Sequence, residues 1–451
     1  MIYKNRSFYK TLAINSILTF LLFTFIFGRS FMGIEIFKYR IGEYLIGGAL
    51  LLFLFLLFKK KYIEKGFGIE IYYLIVLIFS TFSIFLLLNG GSIFNEYTYK
   101  ASLYIWVFSF IFIGYFSFNN LKVKLVYFII LNGALIFSYL TSTIYYPTFL
   151  INFFVKYGDK FDFLKASQML TLFVVTIYFN NRYLIKKYKY TYEYFLIISS
   201  IFLPLFIFKS RGAALGILIF LIAELFNIRK NLNFNKVKIV LMIVISSLLF
   251  YFSTSLIIES SPSEETGLAI VGDLLEVKQS SPKYLLSFYI SSDIDDLQSF
   301  KFLDNGRLFS SDGNINWRIQ IWQDVLIDSL EDLSFIYGSG FNEKIPAMNN
   351  PLYTGKDGMN EYVHNYLVNV YARGGLVHLL LLVFFYFKLV KSNKKHTTQK
   401  DFVVFITPFL IVSLFDSSMS SPHFPFVFFF FIGSFFSKID VDLTKQKKRQ
   451  V

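Results

Sequence analysis

The sequence predicts an all-α polytopic membrane protein of about twelve transmembrane helices with one large, mostly helical outer loop. Of its 451 residues, 55% are hydrophobic and only 16% are charged. The apolar residues fall in repeated runs of about 17–25 residues, the length with which a helix crosses a hydrocarbon core of about 30 Å. A soluble protein of this length would not be so apolar, so we expect a membrane-embedded helical bundle.

The composition excludes several kinds of site and partner. The chain has no cysteine, which excludes disulfides, thiolate catalysis and cysteine-ligated metals. Its four histidines are too few for a histidine-rich metal site. The net charge of +14 would suit nucleic acid, but the basic residues lie in short connections between apolar runs, which is the pattern of membrane topology. We therefore expect no nucleic-acid partner.

Twelve apolar runs are candidate membrane spans. The first is not followed by a small-residue cleavage site, so we interpret it as a retained helix and not as a signal peptide. The spans are predicted at residues 11–27, 41–58, 69–88, 101–118, 125–144, 166–180, 193–208, 213–228, 239–257, 365–387, 402–415 and 424–437. They divide the chain into nine helices over 1–257, a large outer loop over 258–364, and three helices with a basic tail over 365–451.

The connections between these spans alternate in charge. Lysine and arginine gather at both termini and in every second connection, and the positive-inside rule places all of these in the cytoplasm. The remaining connections then face outward, at residues 28–40, 89–100, 145–165, 209–212, 258–364 and 416–423. Three polar features therefore share the outer face: the turn at 209–212, the long segment at 258–364 and the turn at 416–423.

The long outer segment is the only large block of ordinary water-soluble composition in the chain. Between residues 259 and 361 it carries seventeen acidic residues against seven basic ones. Within it, Trp317, Ile321, Val325 and Ile327 recur at near-helical spacing, which predicts an amphipathic helix on the membrane surface over 316–330. We interpret the segment as a lid over the bundle and not as an independent domain.

The tight turn at 209–212 places an arginine at the outer interface. Ser210 is suited to cap the helix that follows, whose free N–H groups and positive dipole end lie beside the Arg211 guanidinium. A capped helix start beside an arginine is a place to hold phosphate. The alternative is a snorkelling arginine bonded to lipid headgroups.

Two arginines of the long segment are further candidates for phosphate binding. Arg318 lies between Trp317 and Trp322 on the predicted surface helix. It provides either a second phosphate-binding fork or part of an interfacial aromatic belt. Arg307 is a secondary candidate of the same kind.

His364 opens the tenth predicted span at the outer face. Histidine is the natural general base near neutral pH, and this one shares its face with the candidate phosphate-binding arginines. The alternative is a helix-start histidine bonded to nearby backbone. Asn365, which follows it, is a secondary candidate.

Arg373 falls inside the same span, roughly 13 Å beyond His364 in a straight helix. An ionisable side chain at that depth indicates function, unless pairing with a carboxylate such as Glu224 explains it. The adjacent Gly374 and Gly375 allow a kink or close packing.

The outer turn at 416–423 is flanked by Asp416 and His423. These side chains either complete the site or only satisfy the turn, and we favour the second interpretation. His423 is therefore a secondary candidate.

The order of these motifs resembles a known family. They are Ser210-Arg211-Gly212 at a span start, Arg318-x-x-x-Trp322 and Gly338-x-Gly340 in the outer segment, and His364-Asn365-x-Leu367 followed by Gly374-Gly375. Together they resemble the O-antigen ligase and O-antigen polymerase superfamily of bacterial envelope glycosyltransferases. The resemblance covers roughly residues 195–390, while the first half of the chain matches only in hydropathy.

The resemblance implies an inner-membrane enzyme of GT-C-like fold that transfers a glycan at the periplasmic face without a metal or other cofactor. The donor would be a glycan on undecaprenyl pyrophosphate, and the acceptor either lipid A–core or a second lipid-linked glycan. His364 would be the base for attack with inversion, while Arg211, Ser210 and Arg318 would hold the pyrophosphate. No role for Arg373 carries over.

Three alternatives stay open beside a ligase. A polymerase would share the motifs, and the single dominant outer segment favours a ligase over it. A transporter of lipid-linked glycans would need charged residues at the bilayer midplane and symmetry between its halves, and neither is evident. A structural protein whose outer segment binds a partner would leave the three features on one face unexplained.

Overall fold

The structure is a computed structural model in which most of the chain is described. The described residues are 2–93, 95–159, 161–184, 191–228, 236–260, 300–302, 307–310, 313–331, 334–353, 360–393, 399–438 and 440–442. The protein is mostly helical, at 79%, with almost no sheet, which confirms the all-α class. The central part of the predicted outer segment, 261–299, and the basic tail at 443–451 lie outside the described residues.

The bundle consists of helices, with a few short strands. In the described residues they are α1 Ile2–Met32, α2 Ile41–Leu57, α3 Lys60–Phe67, α4 Ile69–Leu88, α5 Glu96–Ala101, α6 Leu103–Trp106, α7 Ser109–Asn120, α8 Leu125–Thr143, α9 Thr148–Tyr157, α10 Ala166–Phe179, α11 Thr191–Lys209, α12 Arg211–Ile228, α13 Lys236–Ser260, α14 Gly313–Glu331, α15 Tyr366–Ser392, α16 Gln399–Ser413 and α17 His423–Ser434. The short strands pair as β1 Glu35–Ile36 with β2 Tyr39–Arg40, β3 Lys122–Lys124 with β6 Asp440–Asp442, and β4 Phe300–Phe302 with β5 Leu308–Ser310.

A helix occupies each of the twelve places where a span is predicted. Among the described residues, seven helices are long and apolar enough to cross a membrane: Phe8–Met32, Ile69–Leu88, Leu103–Asn120, Leu125–Thr143, Tyr192–Lys209, Val237–Ile257 and Tyr366–Ser392. The bent pair α2 and α3, which meet at 95°, would be an eighth. The other four predicted places hold helices outside this set, so a count of twelve crossings stays a prediction.

The connections predicted to be cytoplasmic lie together at one end of the bundle. Strand β3, between α7 and α8, pairs in parallel with the C-terminal strand β6. Arg182, after α10, donates to Asp401 at the start of α16 over 2.7 Å. Lys388, near the end of α15, lies 2.6 Å from Glu70 at the start of α4. These contacts join connections that the charge pattern places on one side of the membrane.

Connections predicted to face outward meet at the opposite end. Arg40, before α2, lies 3.4 Å from Asp159, which follows α9. Asn342, in the outer segment, donates to the backbone carbonyl of Asn89 over 3.1 Å. The predicted division of the connections into two groups therefore matches the contacts on both ends.

The core of the bundle depends on close approach of α7 and α17. A Cβ on Gly114 would lie 1.8 Å from the carbonyl oxygen of Phe430, and one on Gly433 would lie 2.2 Å from that of Ile111. Only glycine leaves the two backbones room to touch, as at many helix interfaces in membranes. The fully buried Phe108, just before α7, packs against Phe429 of α17 with 5.4 Å between the ring centroids.

Helix α14 confirms the amphipathic helix predicted for the outer segment. Ile321 and Val325 are 0% and 3% exposed, whereas Ile327 is 41% exposed. The buried face packs against a small second core that includes Val363 and Ala372. The outer segment therefore packs against α15 through its own apolar cluster, and does not lie only on a membrane surface.

Helix α15 is broken at the point where part of the outer segment forms hydrogen bonds with its backbone. Gly375 has φ +63° and ψ −164°, which interrupts the helical backbone. The N–H groups of Leu376 and Val377 then donate to the carbonyls of Phe335 and Ile336, over 2.8 and 3.2 Å. The residues 335–340, which we call the inserted segment, thus replace the intrahelical hydrogen bonds that the break removes. The predicted kink is confirmed.

Replacing Gly375 with alanine should destabilise the protein, because this φ disfavours a side chain and the new Cβ would lie 2.2 Å from the Ile336 carbonyl oxygen. We expect a loss of about 1–3 kcal/mol or more. The control is Gly133→Ala in α8, where no atom lies within 4 Å of the new Cβ and alanine should stabilise by up to about 1 kcal/mol. Thermal unfolding in detergent, followed by size exclusion, measures both. Equal melting temperatures for the two variants would contradict this account of the break.

Candidate active site

His364 lies directly before α15 in a strained backbone conformation. Its φ is +52°, which few residues other than glycine adopt. The next residue, Asn365, caps the helix, since its side-chain oxygen accepts from the Val368 N–H over 3.1 Å. The Asn365 cap and the strained backbone of His364 together hold the imidazole at the N-terminus of α15.

Asn360 fixes the tautomer of this histidine. Its amide nitrogen donates to the carbonyls of Tyr353 and Tyr362, over 2.9 and 3.3 Å, and its Oδ1 accepts from the Tyr362 N–H over 3.3 Å. The same Oδ1 lies 3.2 Å from Nε2 of His364, so Nε2 must carry the hydrogen. Nδ1 then holds the lone pair. This atom is buried and has no hydrogen-bond partner within the described ranges.

The environment of His364 favours its neutral form. Burial is the largest effect that lowers its pKa, the positive charge of Arg318 lowers it further, and Lys165 adds a smaller decrease. The carboxylate of Asp416 acts in the opposite direction, and the resulting pKa is about 4, against 6.5 for an unperturbed histidine. At neutral pH the imidazole is therefore uncharged and able to accept a proton at Nδ1.

Helix α14 brings Arg318 to the histidine. The ring of Trp317 lies 5.0 Å from the imidazole, centroid to centroid, and Arg318 is the next residue. One turn further, Trp322 donates its indole N–H to the carbonyl of Val363 over 2.7 Å. The arginine and the two tryptophans are thus one unit, because the tryptophans fix α14 against the backbone that carries His364.

Arg211 begins α12 close to the same place. The Oγ of Ser210 accepts from the Ala213 N–H over 3.3 Å, which confirms the predicted cap. A Cβ on Gly212 would lie 2.8 Å from Cβ of Phe415, the residue before Asp416. Because Asp416 raises the pKa of His364, the turn at 415–416 connects the helix start at Arg211 with the histidine.

Two neighbours of His364 were not among the candidates from sequence. Asn360 stands four residues earlier in the chain, and its only signal is an amide side chain close to a candidate base. Lys165 precedes α10, far from His364 in sequence, and nothing local indicates that the fold brings its charge there.

Two other candidates have structural partners. Arg307 pairs with the carboxylate of Asp324, which also accepts from the hydroxyl of Tyr353. Asp324 lies on α14, so this pair ties strand β5 and the 353 region to that helix. Arg307 therefore joins parts of the outer segment to one another.

Arg373 clamps the outer segment to α15. Its guanidinium donates to the carbonyl of Gly340 over 3.2 Å, to the carbonyl of Glu343, and to the hydroxyl of Tyr97 over 2.8 Å. The suggested pairing of Arg373 with Glu224 is wrong. Glu224 instead accepts from Arg182 over 3.0 Å, at the opposite end of the bundle.

His423 forms a hydrogen bond with Gln168, whose amide nitrogen lies 2.7 Å from its Nε2. Of the two residues that flank the 416–423 turn, Asp416 acts on His364, whereas His423 bonds to Gln168 on α10. Within the described ranges, no group of three or more His, Asp or Glu side chains is placed to hold a metal ion.

The Asn365 cap should contribute to stability and to the position of His364. Asn365→Ala should lower the free energy of unfolding by about 1 kcal/mol, because the Val368 N–H loses its acceptor, whereas Asn365→Ser retains one. Urea unfolding of the detergent-solubilised protein compares the two. An equal loss in both variants would show that the side chain acts in some way other than as a cap.

Part of the chain is similar to a known family. The family model described as O-antigen ligase matches residues 194–383, a range that starts in α11 and ends in α15 and includes Arg211, Arg318 and His364. A search of the curated proteins finds no match to the chain. The family match supports the resemblance noted from the motifs, so that residues 194–383 of this chain are similar to the O-antigen ligase and polymerase superfamily.

Proposed function

We propose that the protein is an inverting glycosyltransferase that moves a glycan from undecaprenyl pyrophosphate to an acceptor hydroxyl at the periplasmic face of the bacterial inner membrane. Glycosyltransferase-like activity follows from the family. The observation that carries the finer proposal is the neutral His364, whose Nδ1 lone pair is held beside the charge of Arg318.

In the proposed reaction the acceptor oxygen attacks the anomeric carbon of the donor sugar. The bond from that carbon to the pyrophosphate oxygen breaks, and its electron pair leaves with the pyrophosphate. Nδ1 of His364 takes the proton of the attacking hydroxyl and becomes an imidazolium, which later returns the proton to water or to the released pyrophosphate. Attack opposite the leaving group inverts the anomeric configuration.

The cations near His364 supply the charge that the leaving group needs. Arg318 and Lys165 act on the imidazole directly, and Arg211 begins a helix whose N-terminal N–H groups favour an anion. We assign the pyrophosphate to these three cations. Fixed positive charge at the leaving oxygens stabilises the transition state and would serve without a metal.

Donor binding should also strengthen the base. Arg318 and Lys165 lower the pKa of His364 in the resting protein. A pyrophosphate bound to those cations would offset their charge and raise the pKa towards neutrality, where general-base catalysis is most efficient. The histidine would therefore become a better base only when the donor is in place.

We place the protein among the ligases, with lipid A–core as acceptor, because the outer segment between α13 and α15 is its one long connection. A polymerase that joins lipid-linked repeat units is the alternative. A deletion strain distinguishes the two: a ligase defect leaves long glycan on the lipid-linked intermediate, whereas a polymerase defect shortens the glycan itself.

His364→Ala should all but abolish transfer from purified undecaprenyl-linked glycan, because alanine has no lone pair to take the proton of the acceptor hydroxyl. General-base catalysis contributes about 100- to 10,000-fold. Arg318→Gln and Arg211→Gln should each lower kcat/KM by about tenfold or more, since a charge-assisted hydrogen bond to the leaving group is lost. The assay is run with and without a chelator.

The control for lost charge is Lys122→Ala in the exposed strand β3 at the opposite end of the bundle, which should retain full activity. Each variant is also checked for its melting temperature. Full transfer by a folded His364→Ala protein would refute the assigned base, and complete inhibition by the chelator would refute the metal-independent mechanism.

The pH dependence should show the lowered pKa of His364. The residue acts as a base only when neutral, and its pKa of about 4 keeps it neutral well below 6.5. The acid limb of kcat/KM for the donor, which reports the free enzyme, should therefore lie near pH 4. The acid limb of kcat should lie at higher pH, because bound pyrophosphate raises the pKa.

Two variants should move that limb in opposite directions. Arg318→Gln removes a charge that lowers the pKa and should shift the limb to higher pH, whereas Asp416→Asn removes one that raises it and should shift the limb lower. An acid limb at about 6.5 that neither variant moves would be inconsistent with this environment. Activity restored at neutral pH after acid exposure is the control for denaturation.

A further inference from the structure

A polar cavity of about 260 Å³ opens at the outer end of the bundle, outside the group around His364. Its walls come from the end of α1, the start of α2, helices α5 and α6, the first turns of α15 and the 419–423 turn. Most of this wall precedes residue 194, so the part of the chain outside the family match builds it. Glu361 and Tyr362, just before His364, line the side nearest the candidate base.

Two buried nitrogens of the lining have no hydrogen-bond partner in the part of the chain that the structure describes. They are Nδ1 of His423 and Nε of Arg373, whose side chains are 7% and 4% exposed. A buried polar atom without a partner costs about 1–3 kcal/mol unless a ligand or water satisfies it. Both residues line the same cavity, which indicates that polar atoms of a ligand belong there.

The tautomer of His423 makes one of these nitrogens a hydrogen-bond donor. Oε1 of Gln168 accepts from the Lys165 N–H over 3.2 Å, which fixes the orientation of the amide. Its amide nitrogen then donates to Nε2 of His423 over 2.7 Å. Nε2 is the acceptor, so Nδ1 of the neutral ring carries the hydrogen and donates.

The charges of the lining do not suit a pyrophosphate. Arg40 lies 3.4 Å from Asp159, and Lys100 lies 3.8 Å from Glu43. With Glu361, three carboxylates line the cavity among the four cations Arg29, Arg40, Lys100 and Arg373, and each carboxylate would repel a phosphate. Paired cations and carboxylates offer donors and acceptors side by side, and this pattern matches hydroxyl groups, which both donate and accept.

We propose that this cavity binds the saccharide end of the acceptor, a deepening that rests on the proposed glycosyltransferase function. Its volume is near the lower end of ligand pockets, at about 300 Å³, and its charged side chains would lose solvation against a lipid chain. Tyr97 and Tyr362 supply aromatic surface against which a sugar ring packs. In this arrangement the pyrophosphate lies near Arg318 and the acceptor sugar lies in the cavity. His364, which follows Glu361 and Tyr362 in the chain, lies between the two substrates.

Equilibrium binding to the full-length protein in detergent tests this assignment. The two probes are soluble oligosaccharides, prepared from the host's own envelope glycan by mild acid hydrolysis, and undecaprenyl pyrophosphate that carries no sugar. His423→Leu removes the Nδ1 donor, and Glu361→Gln removes a carboxylate whose own partner is the half-exposed Lys344. Each should weaken oligosaccharide binding by about tenfold, the effect of about 1.4 kcal/mol, and leave undecaprenyl pyrophosphate binding unchanged.

Arg318→Gln is the matched control, because it should weaken undecaprenyl pyrophosphate and leave the oligosaccharide unchanged. If His423→Leu fails to fold, Glu361→Gln alone decides. Loss of undecaprenyl pyrophosphate binding in the cavity variants, unchanged oligosaccharide binding, or no oligosaccharide binding to the wild type at millimolar concentration would each overturn the proposal. Binding is measured without transfer, so this outcome is independent of whether His364→Ala abolishes catalysis.

Discussion

The break in α15 at Gly375 is the constraint on which the outer face depends. A continuous helix would satisfy its own backbone and leave the outer segment no hydrogen bonds with which to attach. Because the break frees the N–H groups of Leu376 and Val377, the inserted segment at 335–340 supplies their acceptors. Arg373 holds the adjoining carbonyls of Gly340 and Glu343. With the bond to the Tyr97 hydroxyl, Nη1 and Nη2 of this arginine donate to carbonyl and hydroxyl oxygens instead of to a carboxylate.

The candidate active site follows from that attachment. The inserted segment follows α14 in the chain, and α14 packs on α15 through the cluster that includes Ile321 and Ala372. Trp322 then binds the carbonyl of Val363, one residue before His364. Arg318 on α14 and His364 before α15 therefore keep a fixed position relative to each other. Geometry of this kind matters because a misplaced catalytic group loses most of its effect.

The electrostatics of the site would link donor binding to catalysis. Without a donor, burial and Arg318 keep His364 neutral and weakly basic. A pyrophosphate would cancel part of that positive charge and make the same imidazole more basic. The cations proposed to bind the leaving group would thus keep the pKa of His364 low until the donor is bound. Glu361, Tyr362 and His423 border a separate cavity suited to hydroxyl groups, so the two substrates need not compete for the same cations.

Much of the fold could be predicted from the sequence, because apolar runs and glycine motifs are local signals. The helix positions, the cap at Ser210, the amphipathic helix α14 and the kink at Gly374-Gly375 depend on neighbouring residues, and the structure shows each of them. The match to the ligase family covers nearly the range that the motifs indicate. The number of membrane crossings does not follow from pattern alone, since several buried helices are short.

What sequence could not supply are contacts between distant residues. Lys165 acts on His364 although the two residues are 199 positions apart in the sequence, and Glu224 pairs with Arg182 instead of Arg373. Asn360 sets a tautomer through one amide oxygen, which no spacing rule reveals. The cavity is assembled from helices at both ends of the chain, so no local pattern in the sequence indicates it.

The most direct test of the central claim is nitrogen NMR of the imidazole rings in detergent-solubilised protein labelled at its four histidines, with His364→Gln as the variant that identifies the signal. At neutral pH, the account predicts a neutral His364 with hydrogen on Nε2 and none on Nδ1. Added undecaprenyl pyrophosphate should raise its pKa. A neutral ring with hydrogen on Nδ1, or a charged ring in the resting protein, would contradict the assignment of Nδ1 as the base.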